Sequence, residues 1–156
     1  MKKRWIVYII IGIVFGIFDF FYQEVTVGAL KNSHLLLFII DWAVWLVPAI
    51  PIVIYETKIS ASRKKAVFSN VLVWSLAIVS YSLYMLFKLV FIGQASMKFL
   101  YISNYKDKFY ISNVKSFFVG SVWTEIYSWL PVAIIGGAVT GFLINYLYLK
   151  IRRKGI

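Results

Sequence analysis

Cysteine is absent from the chain, which excludes disulfides, thiolate nucleophiles and cysteine-ligated zinc or iron–sulfur centres. Histidine occurs once, as His34. A single imidazole rules out bis-histidine haem ligation from this chain and leaves a conventional zinc site short of ligands. Its place at the mouth of an apolar run suits a polar residue at an interface. Acidic residues are also scarce, six against 17 lysines and arginines. No Ser/His arrangement, clustered acidic spacing or cofactor motif is present, so no catalytic residue and no cofactor is expected.

Apolar sequence is abundant instead: 62% of the residues are hydrophobic and 19% aromatic. A soluble domain of this size does not normally carry so much. The apolar positions gather into four runs, roughly 5–21, 35–55, 66–92 and 117–149. Crossing a hydrocarbon core takes about 20 mostly apolar residues, and open backbone hydrogen bonds are not tolerated there, so helices are the natural reading. The expected fold is an all-α integral membrane protein, a compact antiparallel bundle of four transmembrane helices forming a single membrane domain over 1–156. The spans fall at about 5–22, 35–55, 66–92 and 127–149, with an interfacial segment at about 94–126 before the fourth. Met1-Lys2-Lys3-Arg4 and the run after it resemble a signal peptide, but Phe18-Asp19-Phe20-Phe21-Tyr22 offers no small-residue cleavage site. A retained first helix is expected.

The formal charge of +11 suggests nucleic acid until the charges are placed. Lys2, Lys3 and Arg4 precede the first span; Lys58, Arg63, Lys64 and Lys65 join the second to the third; Lys150, Arg152, Arg153 and Lys154 follow the fourth. All three groups lie on one side of an even-numbered bundle, so both termini are expected in the cytoplasm, in the plasma membrane of a prokaryote. The clusters would meet anionic headgroups of the lipid bilayer. Nucleic acid is not an expected partner; another membrane protein or a second copy of the chain is. Before span four, Tyr101-Ile102-Ser103-Asn104-Tyr105-Lys106 recurs as Tyr110-Ile111-Ser112-Asn113-Val114-Lys115, a lysine–aromatic pattern suited to the headgroup zone.

Gly12 and Gly16 in span one, and Gly136, Gly137 and Gly141 in span four, give small-residue faces that let backbones approach closely. Gly137 and Gly141 are expected against Gly12 and Gly16. Pro48 and Pro51 predict a bend or local unwinding in span two, because each lacks an N–H and crowds the carbonyl four residues back. Pro131 predicts a division of the fourth run between an interfacial helix and the span.

Counting inward from the ends of the runs at about 1.5 Å per residue places Asp19, Asp41, Lys88 and Glu125 at similar depth. These are the candidate ligand- or ion-binding residues. Charge in an apolar zone is costly unless paired, hydrated or neutralised. Lys88 is expected to pair with Asp41 or Asp19, leaving Glu125 to hold a proton or an external cation. Oxygen ligands would suit Mg²⁺ or Ca²⁺, yet three separate helices give no local metal motif, so the metal question stays open. Three functions follow: an accessory or binding subunit acting by helix packing in a larger complex or oligomer; a cation- or proton-coupled transporter or channel; and a component that binds a small ligand from the outer side.

Overall fold

The structure, a computed structural model, describes residues 2–29, 34–92 and 108–153, and these are helical almost throughout. Helix α1 is Lys2–Ala29, α2 His34–Ala43, α3 Leu46–Ser60 and α4 Arg63–Phe87, which runs into a π-helical turn at Lys88–Ile92. Helix α5, Tyr110–Phe117, continues through a second π-helical turn, Phe118–Val122, into α6, Trp123–Arg153. Four stretches are long and apolar enough to cross a membrane: Lys3–Val27, Leu35–Ser60, Arg63–Phe91 and Tyr110–Arg153.

Helix α4 sits at the centre. Half of its most apolar stretch is buried, against 22–33% for the other three, so those three cover it. Glycines set two of the contacts. A Cβ on Gly12 would come within 2.9 Å of the Val73 carbonyl oxygen and of Leu76 Cβ, and one on Gly16 would overlap the Ala77 carbonyl and Ser80 Oγ. The approach lets the Ser80 hydroxyl donate to the α1 carbonyl of Ile13 at 3.1 Å. On another side of α4, Cβ atoms on Gly137 and Gly141 would lie 3.1 Å from Val71 Cα and 3.2 Å from Val67 Cα. The expected contact of Gly137 and Gly141 with Gly12 and Gly16 is therefore not formed. Each packs on α4, because α4 offers short side chains on both sides, Ala77 and Ser80 toward α1 and Val67, Asn70 and Val71 toward α6.

The proline pair acts at a definite place. Pro48 has no N–H for the carbonyl of Val44, and that carbonyl accepts from Val47 N at 3.0 Å instead. The second span divides there into α2 and α3, with Val44 and Trp45 between them. Pro51 lies inside α3 without ending it. Pro131 likewise lies inside α6, so the fourth run is not divided at that point. Tyr110–Arg153 counts 44 residues, and at about 1.5 Å each reaches roughly 66 Å, about twice a hydrocarbon core. Of the expected interfacial segment, 94–107 lies outside the described residues, and from Tyr110 onward it is helical and runs without a break into α6.

A tight connection joins α3 to α4. Ala61 takes a left-handed conformation (φ 49°) and donates its N–H to the Thr57 carbonyl, and the Ser62 side chain accepts from Lys65 N. Three polar links then bring the neighbouring ends together. Arg4 of α1 reaches Glu56 of α3, Lys58 lies 5.8 Å from the Tyr148 ring centre, and Arg63 lies 5.1 Å from that of Phe142. We call this the basic end.

Gly16→Ala should cost about 1–3 kcal/mol, since the added methyl meets backbone that cannot rotate away. Gly120→Ala, where a Cβ meets nothing within 4 Å, should stay within about 0.5 kcal/mol of the parent. Denaturant titration in detergent measures both; equal effects would contradict the packing described.

Candidate functional site

The two halves of the molecule treat their carboxylates differently. At the basic end Glu56 is fully buried and is matched from two sides. Tyr8 Oη donates to its Oε2 at 2.8 Å, while Arg4 Nη2 stands 3.2 Å from Oε1, near enough for an ion pair though not aligned as a hydrogen bond. Close by, Asn145 Nδ2 donates to Thr57 Oγ1 at 2.7 Å, which donates to the Val53 carbonyl at 2.6 Å. Asn70 Nδ2 of α4 donates to the Gly137 carbonyl at 2.8 Å and to Thr140 Oγ1 at 2.9 Å. The sequence reading passed over Glu56 because it falls just past the apolar run. Its signal was its position beside the lysines and arginines of the basic end, where a lone carboxylate invites a partner.

Away from the basic end, α1, α2, α4 and α6 border an open-sided cavity of about 350 Å³. Asp19 and Gln23 reach it from α1, Phe38, Asp41 and Trp42 from α2, and Trp45 from the break. Tyr81 and Ser82 line it from α4, and Glu125, Trp129 and Val132 from α6. Its described lining holds three carboxylates and no basic side chain. The break explains part of this placement: dividing the span at Val44–Trp45 lets Asp41 and Trp45 share one wall. Trp45 is held edge-on against Phe15 and Trp74, with ring centres 5.4 and 5.1 Å away.

Asp19 is only 2% exposed, on a helix face turned inward by the Gly16 contact. Gln23 Nε2 donates to its Oδ2 at 3.2 Å, and Tyr81 Oη donates to Gln23 Oε1 at 3.0 Å. Asp19 Oδ1 is buried with no hydrogen-bond partner, and so is Asp41 Oδ1. Glu125 is half-buried in the first turn of α6. Three of the four sequence candidates thus border one cavity.

Lys88 does not join them. Its Nζ lies 2.6 Å from Glu24 Oε1 and 4.9 Å from the Phe20 ring centre, so the expected pairing with Asp41 or Asp19 is replaced by one with Glu24. Helix periodicity accounts for the difference. Phe20 and Glu24 are four apart and share a face toward α4, whereas Asp19 is turned about 100° from Phe20 toward the cavity. The first span expected at about 5–22 stops short of Glu24, but α1 continues to Ala29.

No group of three His, Cys, Asp or Glu side chains is placed to hold a metal ion among the described residues. The carboxylates are spread around the wall instead. The chain matches no protein-family model, no curated protein and no solved structure.

Replacing Glu56 by Leu should leave the Arg4 guanidinium unmatched. The expected loss is toward the lower end of about 3–5 kcal/mol, because Arg4 keeps some solvent exposure. Arg4→Leu combined with Glu56→Leu should recover much of it in a thermal or denaturant melt. A loss below about 1 kcal/mol for the single change would show that the pair is not matched as described.

Proposed function

We propose that this chain is a multi-pass protein of a prokaryotic plasma membrane, an antiparallel four-helix bundle with cytoplasmic termini, whose function is to bind a cationic species in the cavity of Asp19, Asp41 and Glu125. The observation that carries the reading is the unpartnered, buried oxygen on each of Asp19 and Asp41, both facing one space with no basic residue on its described wall. A buried polar group normally finds a partner, and leaving one unmatched costs about 1–3 kcal/mol, more when charged. A site with two such oxygens gains most from a proton or a positively charged guest. With the basic end in the cytoplasm, the cavity belongs to the outer half of the bundle.

Capture is favoured over conduction. Between the cavity and the basic end Tyr8, Ala49, Ile52, Val73, Trp74 and Ala133 pack together. Ala133 is on the cavity wall, and Tyr8 and Ile52 are on the wall of a separate pocket of about 610 Å³ beside Lys3 and Arg4, so the two spaces share no lining residue. A second reading, an accessory subunit working through helix packing, draws on the length of α5–α6 and its exposed Ile111, Val119, Trp123 and Tyr127. These offer apolar surface to a membrane partner beyond the bundle itself.

Thermal melts of the purified chain test the binding reading, with chloride salts of inorganic and organic cations compared at one ionic strength. A ligand at 100 times its Kd adds about 2.7 kcal/mol, a clear shift in midpoint. Cation-dependent stabilisation should appear in the parent and in Lys88→Gln, and vanish in Asp19→Asn and Asp41→Asn. Without cation those two Asn variants should be at least as stable as the parent, since each removes an unmatched charge. Stabilisation equal in all four proteins would defeat the reading. Orientation is tested separately on a chain that has no cysteine of its own. An impermeant thiol reagent added to intact cells should label Ser112→Cys, exposed on α5, and not Lys65→Cys; the opposite pattern would invert the topology.

A further inference from the structure

Building on the cation-binding reading above, we propose that the cavity takes an organic ammonium ion carrying an apolar group, not a bare metal ion. The wall combines two kinds of surface. Asp19, Asp41 and Glu125 supply negative charge, and Phe38, Trp42, Trp45, Tyr81 and Trp129 supply aromatic rings. Ring faces attract cations through their quadrupoles, tryptophan most strongly, and quaternary ammonium groups are recognised in this way.

A metal ion suits the site poorly. Small hard cations need several oxygens converging at about 2–2.6 Å, and no three acidic or imidazole side chains are so placed among the described residues. The space is also too large for one. At about 350 Å³ it lies at the small end of the range for organic ligands, about 300–1,000 Å³. An apolar guest without charge would leave the Asp19 and Asp41 oxygens unmatched. An anion would meet three carboxylates and no described basic partner, because Lys88 is held by Glu24.

Two of the rings are also held in advance. Trp45 is wedged between Phe15 and Trp74, and Tyr81 is tied through Gln23 to Asp19 while its ring centre lies 5.4 Å from that of Phe20. A pre-set wall loses little freedom when a guest arrives, which favours affinity. The proposed guest places its ammonium group at Asp19 and Asp41 and its apolar part along Trp42 and Trp129, all four on the described wall.

Phenyltrimethylammonium and its neutral isostere tert-butylbenzene test this directly, by calorimetry on the full-length chain in detergent. The ammonium compound should bind at least tenfold more tightly than the isostere. Trp42→Leu and Trp129→Leu should each weaken it several-fold, and Asp19→Asn or Asp41→Asn at least tenfold. Using both aspartates keeps the test decisive if one variant does not fold. Equal binding of ammonium and isostere, or ammonium binding untouched by the Trp changes, would overturn the proposal. If sodium, potassium or proton binding depends on Asp19 and Asp41 while phenyltrimethylammonium does not bind, the ligand class is wrong and the cation-binding reading stands. If no cation binds in an Asp-dependent way, both fall.

Discussion

Close backbone approach on two sides of α4 positions everything else. Gly12 and Gly16 bring α1 near enough for Ser80 to bond an α1 carbonyl, and Gly137 and Gly141 bring α6 near enough for Asn70 to do the same. In a bilayer, where lipid tails compete equally for apolar surface, such contacts and interhelical hydrogen bonds drive association more than burial does. Once α1 and α6 are clamped on α4, the faces carrying Asp19 and Glu125 are fixed toward one another's side of the bundle. Asp41 completes the set only because Pro48 divides the second span at the right height.

Charge is then distributed unevenly along the molecule. Two carboxylates find cations, Glu56 with Arg4 and Glu24 with Lys88, and the three around the cavity find none among the described residues. Buried charge is costly enough that leaving it unmatched is a feature requiring explanation. At the basic end the Arg4–Glu56 pair and the Asn145–Thr57 bond tie α1, α3 and α6 together. Buried polar atoms without a hydrogen-bond partner occur in both halves, Arg4 Nε, Asn70 Oδ1 and Asn145 Oδ1 among them, but the carboxylates that lack a cationic partner among the described residues are those around the cavity. Sites of this kind give up stability for function.

Much of the helical architecture could be read from hydropathy alone, because four apolar runs of spanning length leave few alternatives. That Asp19, Asp41 and Glu125 would come near one another along the bundle was also legible, since a fixed rise per residue converts position into distance along a helix, and all three line one cavity. Rotation about the helix axis was not. A small error in where α1 ends left Glu24 beyond the expected span and handed Lys88 a different partner. The glycine faces were visible as faces, but which helix each would meet depends on the small residues of α4 at both its sides, and these look unremarkable in a list of apolar residues. Glu56 escaped notice because it lies at a boundary, where a carboxylate ordinarily needs no explanation. Pro131 shows the limit of a local rule, as a helix with enough neighbouring turns continues through it.

The central claim is that Asp19 and Asp41 present free carboxyl oxygens to an apolar-walled space while Glu56 and Glu24 do not. An apolar carbodiimide, which enters membranes and modifies accessible carboxyl groups, distinguishes them when the sites of attachment are mapped by peptide mass spectrometry. Modification should fall on Asp19 and Asp41, with Glu56 and Glu24 spared by their partners, and it should decline when a cation occupies the cavity. Attachment at Glu56 or Glu24 with none at Asp19 or Asp41 would contradict the account.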